Sequence, residues 1–135
     1  DLQDKIKEKK YKVKLAPETT GKISVFGDLD ETLDLAKQTK TAFCIDFSHL
    51  KARLLGKINY EDVIKKIKHY KHIHSHFSGI EWTDKGEKRH IPTNKKEAKL
   101  LLKLLKKHKV NINIINESPR TWEDTLMMNK LLNEI

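Results

Sequence analysis

Glu18, Asp46, His76 and Glu117 each stand where a run of strand-forming residues gives way to polar ones. Asp46 lies near the end of the run Phe43 to Phe47, with His49 three residues behind it. His76 stands near the end of Lys71 to Phe77, Glu117 follows Val110 to Asn116, and Glu18 follows Tyr11 to Pro17. An isolated buried carboxylate is very costly. Asp46 therefore either caps a following helix, with His49 in solvent, or faces a metal or a substrate. The recurrence of the pattern at four strand tips favours the second reading. Three carboxylates and a histidine gathered at one place repel one another unless a divalent cation joins them, and mixed carboxylate and imidazole ligation suits Zn²⁺ or Mn²⁺. His49 and His90 come from loops just above those tips. His72 and His74 share the face of His76 but lie deeper in the strand, where local packing and hydrogen bonds are the simpler expectation.

The elements that must position these residues read as strand followed by helix, repeated. A helix tail covers Asp1 to Lys10, with Leu2 and Ile6 on one face. Asp28 with Glu31 forms a capping box for a helix to about Thr39. Asn59 and Asp62 open the next, Asn94 with Glu97 opens an amphipathic one through Leu100, Leu101, Leu104 and Leu105, and Thr121 with Asp124 opens the last. Gly86 and Pro92 read as breakers in a longer connection. Four βα units with crossovers of this length predict an α/β fold with a parallel sheet, and in such folds sites are built at the C-terminal strand edge.

Composition bounds the rest. The 135 residues make room for one domain, 1–135, and no apolar run is long enough for a bilayer span. The first residue is Asp1, which reads as a trimmed or processed start or as the start of a fragment. A single cysteine, Cys44, excludes a disulfide framework and points to a reducing, cytoplasmic compartment. The net charge of +9 suits a polyanionic partner, although the lysines are interspersed with Glu and Asp along helices, as any solvated face can be.

Ala16-Pro17-Glu18-Thr19-Thr20-Gly21, Cys44-Ile45-Asp46-Phe47-Ser48-His49, His76-Phe77-Ser78-Gly79, Lys88-Arg89-His90 and Asn116-Glu117-Ser118-Pro119 occur in that order. Together they resemble the endonuclease IV family of abasic-site endonucleases, within the xylose-isomerase-like TIM barrels. The resemblance covers the C-terminal half of that barrel. It implies a half-barrel of four βα units, strands five to eight. It also implies metal ligation by Glu18, Asp46, His76 and Glu117, with Glu18 bridging two ions and His49 and His90 holding a third. The implied activity is hydrolysis of DNA on the 5′ side of an abasic site with two or three Zn²⁺ ions, Mn²⁺ being an alternative. Glu18 and Glu117 are the candidate catalytic carboxylates, and Ser78, Lys88 and Arg89 the candidate nucleic-acid contacts. The family's Asp two residues before the last histidine is Lys88 here. Either Glu87 substitutes through a one-residue shift, or that ion is held weakly.

Sugar isomerases and epimerases of the same superfamily use a similar quartet with one metal, and a non-catalytic half subunit is a third reading. His49 and His90 discriminate, because a one-metal isomerase has no use for them. A half-barrel would leave two open sheet edges, so the expected partner besides DNA is a second chain supplying the N-terminal half, or a second copy. No membrane partner is expected.

Overall fold

Local capping chemistry starts most of the helices. The computed structural model describes residues Asp1–Ile135. It contains α1 (Leu2–Glu8), α2 (Leu29–Thr39), α3 (Phe47–Arg53), α4 (Tyr60–Ile67), α5 (Lys95–Lys107) and α6 (Thr121–Glu134). At α2, Asp28 accepts the Glu31 N–H while the Glu31 carboxylate accepts the N–H groups of Gly27 and Asp28. Asn59 and Asn94 cap α4 and α5 in the same spirit, each accepting two backbone N–H groups. The last helix departs from expectation. Arg120, with no side-chain cap bond, precedes Thr121, and Asp124 is buried and accepts the Thr93 N–H at 2.7 Å.

The strands are β1 (Cys44–Asp46), β2 (Ile73–Phe77), β3 (Gly79–Thr83), β4 (Gly86–Ile91) and β5 (Ile112–Asn116). They form a three-stranded parallel sheet, β1-β2-β5, and a separate antiparallel pair, β3-β4. This corrects the expected half TIM barrel of four parallel βα units. Two physical causes are visible. The segment predicted as the first strand, Tyr11 to Pro17, runs beside β1, with the Ala42 N–H donating to Leu15, Cys44 to Pro17, and Thr19 to Cys44. The ladder position between those bonds falls to Pro17, which has no N–H to give. Only a single bridge, Glu18 to Cys44, survives. The second cause is that Gly79 to Ile91, read as a connection, folds into the β3–β4 hairpin around Asp84-Lys85.

One face of the parallel sheet is covered. Phe43, Ile45, Phe47, Ile73 and Phe77 pack against Tyr60, Val63, Ile64 and Ile67 of α4, Ala98, Leu101, Leu102 and Leu105 of α5, and Met128 and Leu131 of α6. Helical spacing puts each set on one side of its helix. Each fully buried large side chain contributes roughly 1.5–3 kcal/mol. The opposite face is uncovered: His72, Asn113 and Ile115 are exposed there. No helix is long and apolar enough to cross a membrane.

Candidate metal centre

The sheet register aligns the tips. Asp46 pairs with His76, and Glu117 follows directly on Asn116, the partner of Phe77. Glu18 arrives on the neighbouring segment, whose end is stitched to β1 by Thr19: the buried Thr19 hydroxyl accepts the Asp46 N–H at 2.9 Å. The quartet converges as expected. His76 Nδ1 is 3.0 Å from Glu18 Oε1, 3.3 Å from Glu117 Oε1 and 3.9 Å from Asp46 Oδ2. One ligand atom from each of the four lies within 4.8 Å of the others.

Asp46 plays both roles that its position in the sequence offered. Its Oδ1 caps α3, accepting the His49 N–H at 2.8 Å. Its Oδ2 is fully buried, has no hydrogen-bond partner, and points into the quartet. Burial holds the Asp46 carboxyl above its ordinary pKa, only partly offset by His49. No lysine or arginine pairs with Glu18, Asp46, Glu87 or Glu117, although the chain carries 28 such residues.

His49 and His90 meet across 41 positions of sequence, with Nε2 to Nε2 at 3.3 Å. Their other nitrogens are engaged. His49 Nδ1 donates to the Thr19 carbonyl at 2.9 Å, which leaves Nε2 as a bare lone pair in the neutral ring. His90 Nδ1 is 2.6 Å from Ser78 Oγ, which also lies 2.8 Å from the Gly79 carbonyl. At this distance the two Nε2 atoms must have a proton or a cation between them. Burial alone would lower the His49 pKa, but Asp46, the Thr19 carbonyl, Glu87 and Glu18 outweigh it and raise it. The spacing also matches the edge of a tetrahedral zinc site, about 3.3 Å for Zn–N bonds of about 2.0–2.1 Å.

Glu87 joins this pair, with Oε2 3.7 Å from His49 Nε2. The hairpin explains how. Glu81 pairs with Arg89 but Trp82 pairs with Glu87, so Lys88 is an extra residue in a β-bulge. Past a bulge the alternation of side chains changes phase. Lys88 and Arg89 both turn to Glu81, at 3.8 and 2.8 Å, while Glu87 and His90 both turn to His49. Gly21 makes room, since a Cβ there would lie 2.5 Å from the Glu87 Cβ. Glu117 links the two groups, its Oε2 4.0 Å from His90 Nε2.

Of the candidate nucleic-acid contacts, Lys88 and Arg89 are exposed on the hairpin, and Arg89 is held by Glu81. Ser78 is 2% exposed and supports His90 from below. Sequence reasoning passed over Thr19 and Ser48. Ser48 accepts the Ser78 N–H at 2.7 Å and donates to the Ser78 carbonyl at 2.9 Å. Their only advance signal was adjacency to Glu18 and His49.

The donor set fits a divalent ion in both groups: carboxylates with one imidazole in the quartet, and two imidazoles with Asp46 and Glu87 beside it. An orphaned buried oxygen and two facing imidazole nitrogens are the features that a cation would satisfy.

An uncharacterized protein of Methanocaldococcus jannaschii is 38% identical over 146 aligned residues. The alignment covers 99% of this chain and 54% of that protein, so the chain spans about half the length of its relative. No protein-family model matches the chain, and no solved structure does.

Proposed function

We propose that the chain carries the metal centre of a phosphodiester hydrolase acting on DNA at abasic sites, a DNA-repair endonuclease with two or three Zn²⁺ or Mn²⁺ ions. The observation that carries the reading is the meeting of the His49 and His90 Nε2 atoms, 3.3 Å apart beside the quartet. A one-metal sugar isomerase, the alternative, has no role for that pair. Glu18, Asp46, His76 and Glu117 hold one ion, and His49, His90 and Glu87 hold another, with Glu117 between them. Divalent ions so placed lower the pKa of a water, polarise a phosphoryl oxygen and stabilise a leaving oxygen. Thr19 holds His49 in the tautomer that leaves Nε2 free for ligation, and Ser78 orients the His90 ring. Lys88 and Arg89, exposed on the hairpin that carries His90, supply positive charge for a phosphate backbone.

The abasic-site substrate rests on the order and content of the five motifs. The buried, unpaired Cys44 supports an intracellular, reducing location. The uncovered sheet face, with Ile115 exposed, supports a second polypeptide or a second copy of the chain as part of the working form.

The test is nicking of a duplex with one abasic site. The metal-loaded chain and the full-length archaeal relative are assayed side by side, with Glu117→Gln as control. Cleavage on the 5′ side, lost in Glu117→Gln and after chelation, is the expected result. Absence of nicking by both proteins overturns the reading, and ketose–aldose interconversion by either would establish the isomerase instead.

A further inference from the structure

Cys44, His74 and His76 lie on the face of the parallel sheet away from the helices, Cys44 buried and both histidines half-buried. The register sets Cys44 directly opposite His74, and His76 stands two residues further along β2 on the same side. Their ligand atoms all fall within 4.8 Å of one another. The His74 and His76 rings meet edge to face, 5.2 Å between centroids. The Cys44 thiol is a buried free thiol, and no hydrogen bond within the protein engages it or the His74 ring. His74 was expected to fill space in a barrel interior. Instead it is half-buried on an open face, with a sulfur across from it.

We infer that Cys44, His74 and His76 form a second metal site, distinct in chemistry from the carboxylate centre and suited to a thiophilic ion such as Zn²⁺ or Cu⁺. One thiolate and two imidazoles are a soft donor set, whereas the neighbouring quartet offers mostly hard oxygens. Drawing the three ligand atoms in to the separations of a tetrahedral ion, about 3.3–3.7 Å from ordinary Zn–N and Zn–S lengths, is a side-chain adjustment. The ring of His74 can supply that movement, because it is not packed on all sides. As the Sγ–metal bond forms, the thiol proton leaves to solvent, and the fourth position faces the open side of the sheet. His76 belongs to both centres. Its Nδ1 is committed to Glu18 and Glu117, so Nε2 is the nitrogen left for the second site. An ion in each would make the ring a bridge stripped of both protons, so filling one centre weakens the other.

Cobalt(II) is the probe, because thiolate ligation gives a near-ultraviolet charge-transfer band that carboxylate ligation does not. Titration of the metal-free chain under reducing conditions is expected to produce this band at one equivalent. Cys44→Ser removes it, and His74→Ala, at a partly exposed position that does not threaten folding, weakens cobalt binding read at that band at least tenfold. Glu117→Gln keeps the band while abolishing the nicking proposed above, so the two readings fail separately. Cobalt binding with no thiolate band, or a band undiminished in His74→Ala, overturns the site.

Discussion

Two clusters in this molecule are built from the same residue types and behave in opposite ways. On the helical side, Glu61 of α4 accepts from Lys107 Nζ at 2.7 Å and from His108 Nε2 at 2.9 Å. The Lys107 hydrogen bond, then that of His108, pulls the Glu61 pKa down to about 2. At the strand tips, three carboxylates share one imidazole, Asp46 keeps a buried oxygen without a partner, and burial pushes its pKa up. The first cluster contains its own cation and is complete. The second gathers negative charge that no lysine or arginine pairs with, answered only by the raised pKa of His49. Carboxylates near histidines are therefore no sign of a metal site; carboxylates near histidines with the cation withheld are.

The largest expected effect comes from giving the second cluster what the first one has. His76→Lys removes a ligand and supplies an internal cation, so Zn²⁺ affinity for the quartet should fall at least 100-fold, about 2.7 kcal/mol, by calorimetric titration. The metal-free variant should be no less stable than wild type in urea. Unchanged zinc affinity would erase the distinction between the clusters.

The helix starts and the convergence of the quartet were legible because they depend on local rules. Asp28, Asn59 and Asn94 announce helix starts through side chains that bond two or three residues ahead. The quartet residues sit at the ends of apolar runs, and a parallel sheet brings such ends to one edge. What was illegible depended on a missing or an additional atom. Tyr11 to Pro17 has strand alternation, yet the absent Pro17 N–H breaks the ladder. Short α3 follows β1 with no breaker between them, so the run Phe43 to Phe47 hid its start. Glu87 could be assigned only as an open alternative, because a bulge at Lys88 decides which way it points.

A smaller effect sharpens that last point. Gly21→Ala places a Cβ on Glu87, 2.5 Å from its own Cβ. Displacing Glu87 while leaving His49 and His90 in place should weaken the ion held between them about tenfold, as loss of a supporting group does. Metal stoichiometry by mass spectrometry should show that ion lost first on dilution, with the quartet ion retained. Loss of both ions together would mean that the centre is a single unit.

The smallest effect belongs to the complete cluster. Glu61 has a folded pKa depressed from 4.5 to about 2, so its contribution to stability is present above pH 4.5 and is lost as pH falls toward 2. Glu61→Gln should be less stable than wild type at neutral pH and converge with it near pH 2, by urea denaturation at each pH. It should leave zinc binding unchanged. A change in zinc affinity would couple two regions that the structure keeps apart.

The gap at Pro17 also sets where the metal centre can give way. Asp46 sits on a strand paired with β2 and ends in a helix cap, so it is anchored on two sides. Glu18 stands between the empty rung at Pro17 and the buried Thr19 that stitches the segment to β1, so only the stretch before it is loosely attached. Segments held by so few backbone bonds open at a small fraction of the cost of global unfolding. Glu18 would thus be the candidate ligand next to the loosest backbone, with Asp46, His76 and Glu117 the more firmly held ones. Any ion held there would be loaded and exchanged most readily past that one arm, whose looseness traces to one amide proton that a proline does not have.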